Sequence, residues 1–191
     1  LDSIIWMAEG GKNKEVVRMT SALARLLRQS ISNDNERIPL EKEVDYAGSY
    51  LTIQKMRYKD KLEYEIEVAE DIKKEEIINL ILQPLVENAI YHGIKYKGSK
   101  GLIRIVGYGE GDHIVLKVID NGIGMDEAAL KGIFDKSRAS EGNNGVGVHN
   151  VQTRIRLYYG AEYGLHFEST LGEGTTVTII IPRNFREEER G

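Results

Sequence analysis

The spacing of apolar residues changes at about residue 60, and this change constrains the fold of the chain more than any other feature. Before it, apolar residues recur every three or four positions, which is the spacing of one helix face. After it, residues 62 to 68 alternate strictly between apolar and acidic residues, which predicts a strand. We therefore expect a helical region over residues 1–60, a second domain over 61–185 and a disordered tail over 186–191.

Two helices are predicted before the change, one over residues 12 to 31 and one from Pro39 to about residue 58. The inward-facing stripe of the first consists of Val16, Met19, Leu23, Leu26 and Ser30, widened by Leu27. That of the second consists of Leu40, Val44, Ala47, Leu51, Gln54 and Tyr58. A short polar run at 32 to 35 separates the two helices, so we expect an antiparallel hairpin.

A hairpin of this size buries little apolar surface by itself. Two arrangements could cover the rest: packing on the remainder of its own chain, or docking with a second copy as a four-helix bundle. Spacings that alternate between three and four residues are typical of a helical seam. We therefore favour a homodimer formed through the hairpin.

Residues 61 to 185 predict strands and helices in mixed order. A helix is expected over 75 to 92 with Gly93 as its C-cap, although Pro84 within it requires a kink or a restart. Further strands are expected at 102–108, 113–119, 164–169 and 175–181, and a further helix at 148–159. This order indicates an α+β fold, a two-layer α/β sandwich with one layer of sheet and one of helices, preceded by the helical hairpin.

Composition excludes several classes of function. The chain has no cysteine, which rules out disulfides, thiolate catalysis and cysteine zinc sites. Its net charge is −4, so it lacks the broad basic field with which proteins bind nucleic acid or anionic lipid. No apolar run approaches the ~20 residues of a membrane span. The chain begins with Leu1 in what resembles mid-helix, so we expect a fragment of a longer protein.

An acid followed by two glycines closes the strand at 113 to 119. Asp120 is followed by Asn121, Gly122, Ile123 and Gly124. A carboxylate at a strand end can accept a hydrogen bond from an exocyclic amine, and the glycines would let a flat ring lie against bare backbone. Taken alone, the pattern also fits an ordinary loop with an acidic turn.

The helix before it carries polar residues on an otherwise apolar segment. Glu87 and Asn88 are adjacent, and Asn88 shares a helix face with His92 four residues on. A carboxylate there could take a proton or hold a water, and an amide oxygen could bind a hard cation such as Mg²⁺. The alternative is an amphipathic helix with a solvated face.

Two glycine-rich segments follow. Residues 142 to 150 run into a predicted helix, whose free backbone N–H groups could bind an anion without side-chain charge. A flexible loop ending in a helix cap explains this segment as well. Residues 172 to 176 lie between the last two strands, where a hairpin turn is an equally good explanation. No Gly-x-x-x-x-Gly-Lys-[Ser/Thr] occurs, so the chain is not a P-loop nucleotidase.

Taken in the order of the chain, with the Glu87 helix first and the Asp120 loop second, these four segments resemble the N, G1, G2 and G3 boxes of the GHKL ATPase superfamily. That superfamily has the Bergerat fold and includes histidine kinases, Hsp90, type II topoisomerase and MutL. The helical hairpin narrows the resemblance to one group within the histidine kinases. Residues 38 to 43, 50 to 58 and 82 to 89 resemble sensor histidine kinases of the LytS/YehU type. The resemblance spans nearly the whole chain.

The resemblance implies ATP and Mg²⁺ as cofactors. It implies that Asp120 binds the adenine amino group and that Gly122 and Gly124 shape the pocket. Asn88 would coordinate the Mg²⁺ that bridges the ATP phosphates, and His92 would lie among the nucleotide-binding residues.

The resemblance also implies roles outside the adenine pocket. Glu87 would orient or deprotonate the acceptor histidine. Gly145 and Gly147 would present backbone to the phosphates, and residues 126 to 144 would form a mobile lid over ATP. Thr175 and Thr176 would support the adenine side of the pocket.

By the same resemblance, the chain is the catalytic region of a two-component sensor histidine kinase. It would transfer the ATP γ-phosphoryl group to a histidine just upstream of Leu1 and thence to a response regulator receiver domain. No histidine precedes His92, so this fragment is not expected to autophosphorylate. We expect an upstream sensor domain and a membrane-anchored parent, with this region cytoplasmic and in direct contact with neither membrane nor nucleic acid. The alternatives are a non-catalytic ATP-binding relay module and an ATP-driven clamp.

Overall fold

The computed structural model describes residues 2–31, 36–133 and 146–183. Its helical region contains α1 (Asp2–Glu9), α2 (Asn13–Ile31) and α3 (Leu40–Tyr58). Gly11, with φ of +69°, ends the turn between α1 and α2 in a conformation that favours glycine. Helices α2 and α3 pack against each other, and both have the bounds that the apolar spacing predicts to within a residue.

The two helices bury their stripes to different degrees. In α3, Leu40, Ala47 and Leu51 are completely buried. In α2, Met19 is buried but Leu27, expected to widen the inward stripe, is 55% exposed. Because α3 packs on the rest of the chain as well as on α2, its apolar face is covered, whereas part of the apolar surface of α2 remains exposed.

The second part of the chain is built on a five-stranded sheet. Its strands are β2 (Leu62–Val68), β4 (Gly101–Glu110), β5 (His113–Asp120), β6 (Gly164–Thr170) and β7 (Gly174–Pro182), in the spatial order β2-β4-β5-β7-β6. Strands β2 and β4 run parallel, and all other neighbours are antiparallel. A separate two-stranded ribbon pairs β1 (Arg37–Pro39) with β3 (Glu76–Ile78).

Helices cover one face of this sheet. They are α3, α4 (Leu82–Asn88) and α6 (Val146–Tyr159), with the short α5 (Glu127–Lys131) between β5 and α6. The inward side chains of the strands are buried because alternate residues of a strand point to the same face. Core residues on the sheet include Leu62, Ile103, Ile105, Leu116, Val118, Val177 and Ile179, and on the helices Leu82, Leu85, Val86, Ile90, Val151 and Ile155. The predicted two-layer α/β sandwich is confirmed.

The prediction of one helix over residues 75 to 92 is wrong. The structure has β3 there first, then a turn in which Leu80 adopts a φ of +55°, and then α4. Strand β3 forms because its partner is β1, nearly forty residues upstream, a contact that local spacing does not reveal. Of the two possibilities at Pro84, the restart is correct: Pro84 lies in the first turn of α4, where its missing N–H is not needed.

The end of the same helix also differs from the prediction. Ala89–Ile94 continue α4 as a π-helical segment, so Gly93 is not a C-cap. Such segments are rare and frequently lie at functional sites. The last helix begins at Val146 rather than at 148. Among the described residues, no helix is both long enough and apolar enough to cross a membrane.

Candidate functional site

Asp120 ends β5 as a buried carboxylate on the helical side of the sheet. Only 6% of its surface is exposed, and its Oδ1 accepts a hydrogen bond of 2.7 Å from the Gly122 N–H. Burial raises the pKa of Asp120 to about 6, although N–H groups of Gly122 and Thr175 and the charge of Lys97 act to lower it. Asp120 is therefore an acceptor held in a largely dry environment.

Two glycines bring backbone directly against this carboxylate. A Cβ on Gly93 would lie 2.5 Å from Asp120 Oδ1, and so would a Cβ on Gly122. The Ile123 N–H donates to the Gly93 carbonyl at 3.1 Å, which ties the loop after β5 to the π-helical segment. The predicted role of Gly122 in shaping the pocket is consistent with this contact. Sequence reasoning missed Gly93, although its position one residue after His92 is a usable signal.

The turn between β6 and β7 supports the loop after β5 from the other side. Gly124, with φ of +62°, leaves no room for a Cβ beside the Thr170 carbonyl, and Gly174, with φ of +128°, leaves none beside the Asp120 carbonyl. The Gly172 N–H donates to the Ile123 carbonyl at 2.7 Å. The hairpin turn expected at 172–176 is present, and it packs against the Asp120 loop.

The two threonines of that turn lie on different faces of β7. Thr175 pairs with Asp120, is 7% exposed, and has its Oγ1 2.9 Å from Ser169 Oγ. Thr176 pairs with Ile119, and because side chains alternate along a strand it belongs to the outer face. Thr176 lines a cavity of about 340 Å³ whose other lining residues include Arg104, Asp120 and Thr175. The roles of both threonines stay predictions.

Helix α4 carries the predicted catalytic and metal-binding residues. Glu87 and Asn88 are half-buried, and Glu87 Oε1 accepts a hydrogen bond of 3.0 Å from Gln83 Nε2. Burial, a hydrogen bond with Tyr91 and the nearby Glu87 charge raise the pKa of Tyr50 above its usual range. Because Tyr50 lies on α3, Glu87 is close to the helical hairpin.

His92 follows one turn later, in the π-helical segment. It is half-buried, and burial together with the charge of Lys95 lowers its pKa. Both effects favour the neutral form of its imidazole. A neutral ring can both donate and accept a hydrogen bond, so His92 can contribute to nucleotide binding without adding charge.

The start of α6 lies beside the start of α4. A Cβ on Gly147 would be 3.5 Å from Pro84 Cβ, and Gly147 is exposed. Gly145, the other glycine expected to face phosphates, lies outside the described residues, as does the part of the expected lid from 134 to 144. The described part of that segment contains α5, whose first turn Asp126 caps by accepting the Ala129 N–H at 2.7 Å.

The donor set suits a metal held jointly with a nucleotide rather than by protein alone. In the described ranges, no group of three or more His, Asp or Glu side chains could hold a metal ion. Asn88 offers a half-buried amide oxygen, and Mg²⁺ commonly takes one or two protein oxygens and completes its shell with phosphates and water. The residues present therefore fit the magnesium site that the sequence suggests.

Comparison with known proteins decides the family. The family model described as histidine kinase-, DNA gyrase B- and HSP90-like ATPase matches residues 73–184, more than half of the chain. The chain belongs to this ATPase family. The match includes Glu87, Asn88 and Asp120. A second model, described as histidine kinase, matches residues 1–62. Together they identify the ATPase catalytic domain of histidine kinases preceded by a histidine kinase helical region.

The curated relatives that the chain matches also carry the names of sensor kinases. The chain is 34% identical to the sensor histidine kinase YesM of Bacillus subtilis over 95% of its own length and 30% of that protein's. It is 32% identical to the sensor protein LytS of Staphylococcus haemolyticus over 91% of its own length and 31% of that protein's. The chain thus spans about 30% of the relatives it matches. The predicted resemblance to LytS-type sensor kinases is confirmed.

Solved structures of the family have the same fold. The histidine kinase domain of a blue-light activated kinase from Erythrobacter litoralis aligns with a TM-score of 0.58 at 19% identity, covering 91% of this chain and 77% of that one. The catalytic domain of the histidine kinase ThkA aligns with a TM-score of 0.59 at 15% identity, covering 77% of this chain and 96% of that one. At these identities the likeness concerns the fold.

Proposed function

We propose that this chain binds ATP with Mg²⁺ and supplies the catalytic region of a two-component sensor histidine kinase. The observation that carries the proposal is the buried Asp120 carboxylate, which is bounded by the backbone of Gly93 and Gly122. Gly93 belongs to the π-helical continuation of α4, the helix that carries Glu87 and Asn88. The match of residues 1–62 to a histidine kinase model favours this activity over an ATP-driven clamp.

Asp120 recognises adenine in this proposal. Its carboxylate accepts a hydrogen bond from the exocyclic amine of the ring. Gly122 and Gly124 shape the pocket by letting the loop after β5 pack closely against Gly93 and Thr170. Because the pKa of Asp120 is about 6, the group is mostly ionised near neutral pH and accepts strongly. Thr175 supports this side of the pocket through its position opposite Asp120.

The phosphates extend from there toward Asn88, at the end of α4, and toward the first turn of α6. Asn88 offers its amide oxygen to Mg²⁺, which neutralises charge on the phosphates when bound. Gly145 and Gly147 present backbone N–H groups at the start of α6, where helix termini favour anions. His92 contributes from the adjoining turn. Phosphoryl transfer depends mainly on such positioning and charge neutralisation, so no basic cluster is required.

Glu87 serves the acceptor rather than the nucleotide. Its carboxylate is held by Gln83 and lies close to α3, and the acceptor histidine is proposed to precede Leu1 in the same helical region. One ring nitrogen attacks the terminal phosphorus, the bond to the bridging oxygen breaks, and ADP leaves. Glu87 keeps the imidazole ring oriented and takes the proton from its other nitrogen. The phosphoryl group passes from that histidine to an aspartate of a response regulator.

The helical hairpin is the proposed dimerisation surface. Val17 is 65% exposed and Leu27 is 55% exposed on α2, which is apolar surface that a second copy could cover.

We also propose the division into a hairpin over 1–60 and a catalytic domain over 61–185, with the end of the chain as a tail. The parent would be a membrane-anchored sensor kinase with this region in the cytoplasm, as the resemblance suggests.

Calorimetric titration with Mg-ATP tests the proposal. Asp120→Asn should weaken binding about tenfold or more, because a strong acceptor for the adenine amine is lost. Asp112→Asn, which neutralises an exposed acid in the turn between β4 and β5, is the matched control and should bind as the wild type does. Unchanged affinity in a folded Asp120→Asn variant would contradict the adenine assignment.

A further inference from the structure

A carboxylate from the helical hairpin holds the start of the helix that carries Glu87 and Asn88. Glu43 lies in the first turn of α3 and is 1% exposed. Its Oε1 accepts hydrogen bonds from the N–H groups of Ile81 at 2.7 Å and Leu82 at 2.9 Å, and its Oε2 accepts one from Leu80 at 3.0 Å. These N–H groups belong to the start of α4, where no helical carbonyl is available to them.

The turn that Glu43 holds is strained and is secured from a second side. Leu80 has a φ of +55°, a conformation that residues other than glycine rarely adopt. On the other side, Arg154 of α6 donates to Asn79 Oδ1 at 2.8 Å and to the Leu80 carbonyl at 3.4 Å. The turn before α4 is thus fixed between one helix of the hairpin and one helix of the sandwich.

Burying the Glu43 carboxylate costs free energy that packing contacts alone do not offset. Burial raises its pKa, against three backbone N–H groups and the charge of Arg154, which act to lower it. A buried carboxylate costs free energy unless it is fully hydrogen-bonded, and a leucine would fill similar space without that cost. The three hydrogen bonds therefore indicate that the residue serves the position of the 80–82 backbone.

The chain around Glu43 makes the link between the two regions firmer. The Leu40 N–H donates to the Glu75 carbonyl, the Asn79 N–H donates to the Glu36 carbonyl, and β1 pairs with β3. The segments that lead into α3 and α4 are consequently joined by backbone hydrogen bonds, in addition to those that the Glu43 side chain accepts. A shift of α3 along its axis would move α4, and with it Glu87 and Asn88.

We propose that Glu43 is a positioning residue that transmits the placement of the helical hairpin to the magnesium ligand Asn88, an inference that rests on the proposed function. Adenine recognition at Asp120 belongs to the far side of the pocket and does not depend on this contact. Loss of the Glu43 hydrogen bonds therefore affects the magnesium-dependent part of ATP binding and spares the rest.

The test measures ATP affinity of this chain by calorimetry, in Mg²⁺ and in excess EDTA, for the wild type and Glu43→Gln. Glutamine keeps the size of the side chain but removes the charge and one acceptor. We expect the affinity in Mg²⁺ to fall about fivefold, because the metal ligand is displaced, with little change in EDTA. Hydrogen exchange of the Leu80, Ile81 and Leu82 amides should accelerate in the same variant.

Glu41→Gln is the matched control, since Glu41 is an exposed carboxylate in the same turn of α3, and it should match the wild type in both conditions. Equal losses of affinity in Mg²⁺ and in EDTA, or none in either, would overturn the positioning role while leaving the proposed function intact. A wild-type chain that binds no ATP would instead overturn the proposed function itself. If Glu43→Gln does not fold, Glu43→Asp, which keeps the charge on a shorter arm, is judged by the same criterion.

Discussion

Asp120 combines a stability cost with a binding role. Its pKa of about 6 lies above its ordinary value of 3.8 because burial disfavours the ionised form. The native state therefore binds this proton more tightly than the unfolded state does. The unfolding free energy therefore falls as pH rises from the pKa of Asp120 in the unfolded state through its pKa in the folded state. Above the folded-state pKa, the protein bears the full free-energy cost of the buried charge.

This predicts a pH-dependent difference between the wild type and Asp120→Asn. Relative to the variant, the wild type should lose about 1–2 kcal/mol of unfolding free energy between about pH 5 and about pH 7.5. Urea unfolding at a series of pH values measures it, with Asp112→Asn as a variant that should follow the wild type throughout. Parallel stability curves for the wild type and Asp120→Asn would mean that the carboxylate is not buried as described.

Gly93 provides a second prediction at this scale. Gly93→Ala should weaken ATP binding about tenfold or more, since its Cβ would lie 2.5 Å from Asp120 Oδ1 and displace either the carboxylate or the helix. Gly98→Ala is the control, because a Cβ there meets no atom within 4 Å. Calorimetry on both variants decides the matter, and equal affinities would show that Gly93 is not part of the pocket.

Single residues were predictable where their neighbours in sequence define their surroundings. Asp120, Gly122 and Gly124 follow a clear strand, so an acid at the edge of a sheet could be inferred. Glu43 could not be recognised in the same way, because the N–H groups it accepts from lie 37 to 39 residues further on. Its position among Leu40 and Ala47 on the buried stripe of α3 is the signal that was available.

At the scale of elements, alternation located the strands of the sheet well, because it is a local property of each strand. The error at 75–92 has a different origin. Ile77 and Ile78 have spacings compatible with the helix that follows, yet they are buried in β3 through its pairing with β1. A ribbon closed by distant residues cannot be read from one segment, and neither can the π-helical end of α4.

Helix α4 separates two roles that mutation can distinguish. In the longer parent protein with its acceptor histidine, Glu87→Gln should slow phosphoryl transfer about a hundredfold while ATP affinity changes little, because Glu87 is proposed to serve the acceptor. Radiolabel transfer and calorimetry measure the two effects. Glu76→Gln, at an exposed acid of β3, is the control. Equal losses in transfer and in affinity would argue that Glu87 binds nucleotide.

At the scale of the whole molecule, the incomplete burial of α2 predicts self-association. Replacing Leu27 by Glu should weaken the dimer about tenfold or more without unfolding the chain, since the side chain is 55% exposed in one copy and would be buried between two. Sedimentation equilibrium over a range of concentrations measures this.

The control for that prediction is Leu157→Glu on α6, where an 80% exposed leucine lies on the catalytic region instead of the hairpin. It should leave the dimer unchanged. A chain that is monomeric at every concentration, or a dimer that Leu157→Glu dissociates and Leu27→Glu does not, would contradict dimerisation through the hairpin.

The central claim is that one pocket binds adenine at Asp120 and holds the phosphates between Asn88, at the end of α4, and the first turn of α6. A crystal structure of this chain with a non-hydrolysable ATP analogue and Mg²⁺ tests it most directly. We predict that the adenine amino group lies within hydrogen-bonding distance of the Asp120 carboxylate and that the metal contacts the Asn88 amide oxygen. Nucleotide bound beside Arg104 and Thr176 with no contact to the Asp120 carboxylate, or bound in the groove between Trp6 and Lys59, would contradict it.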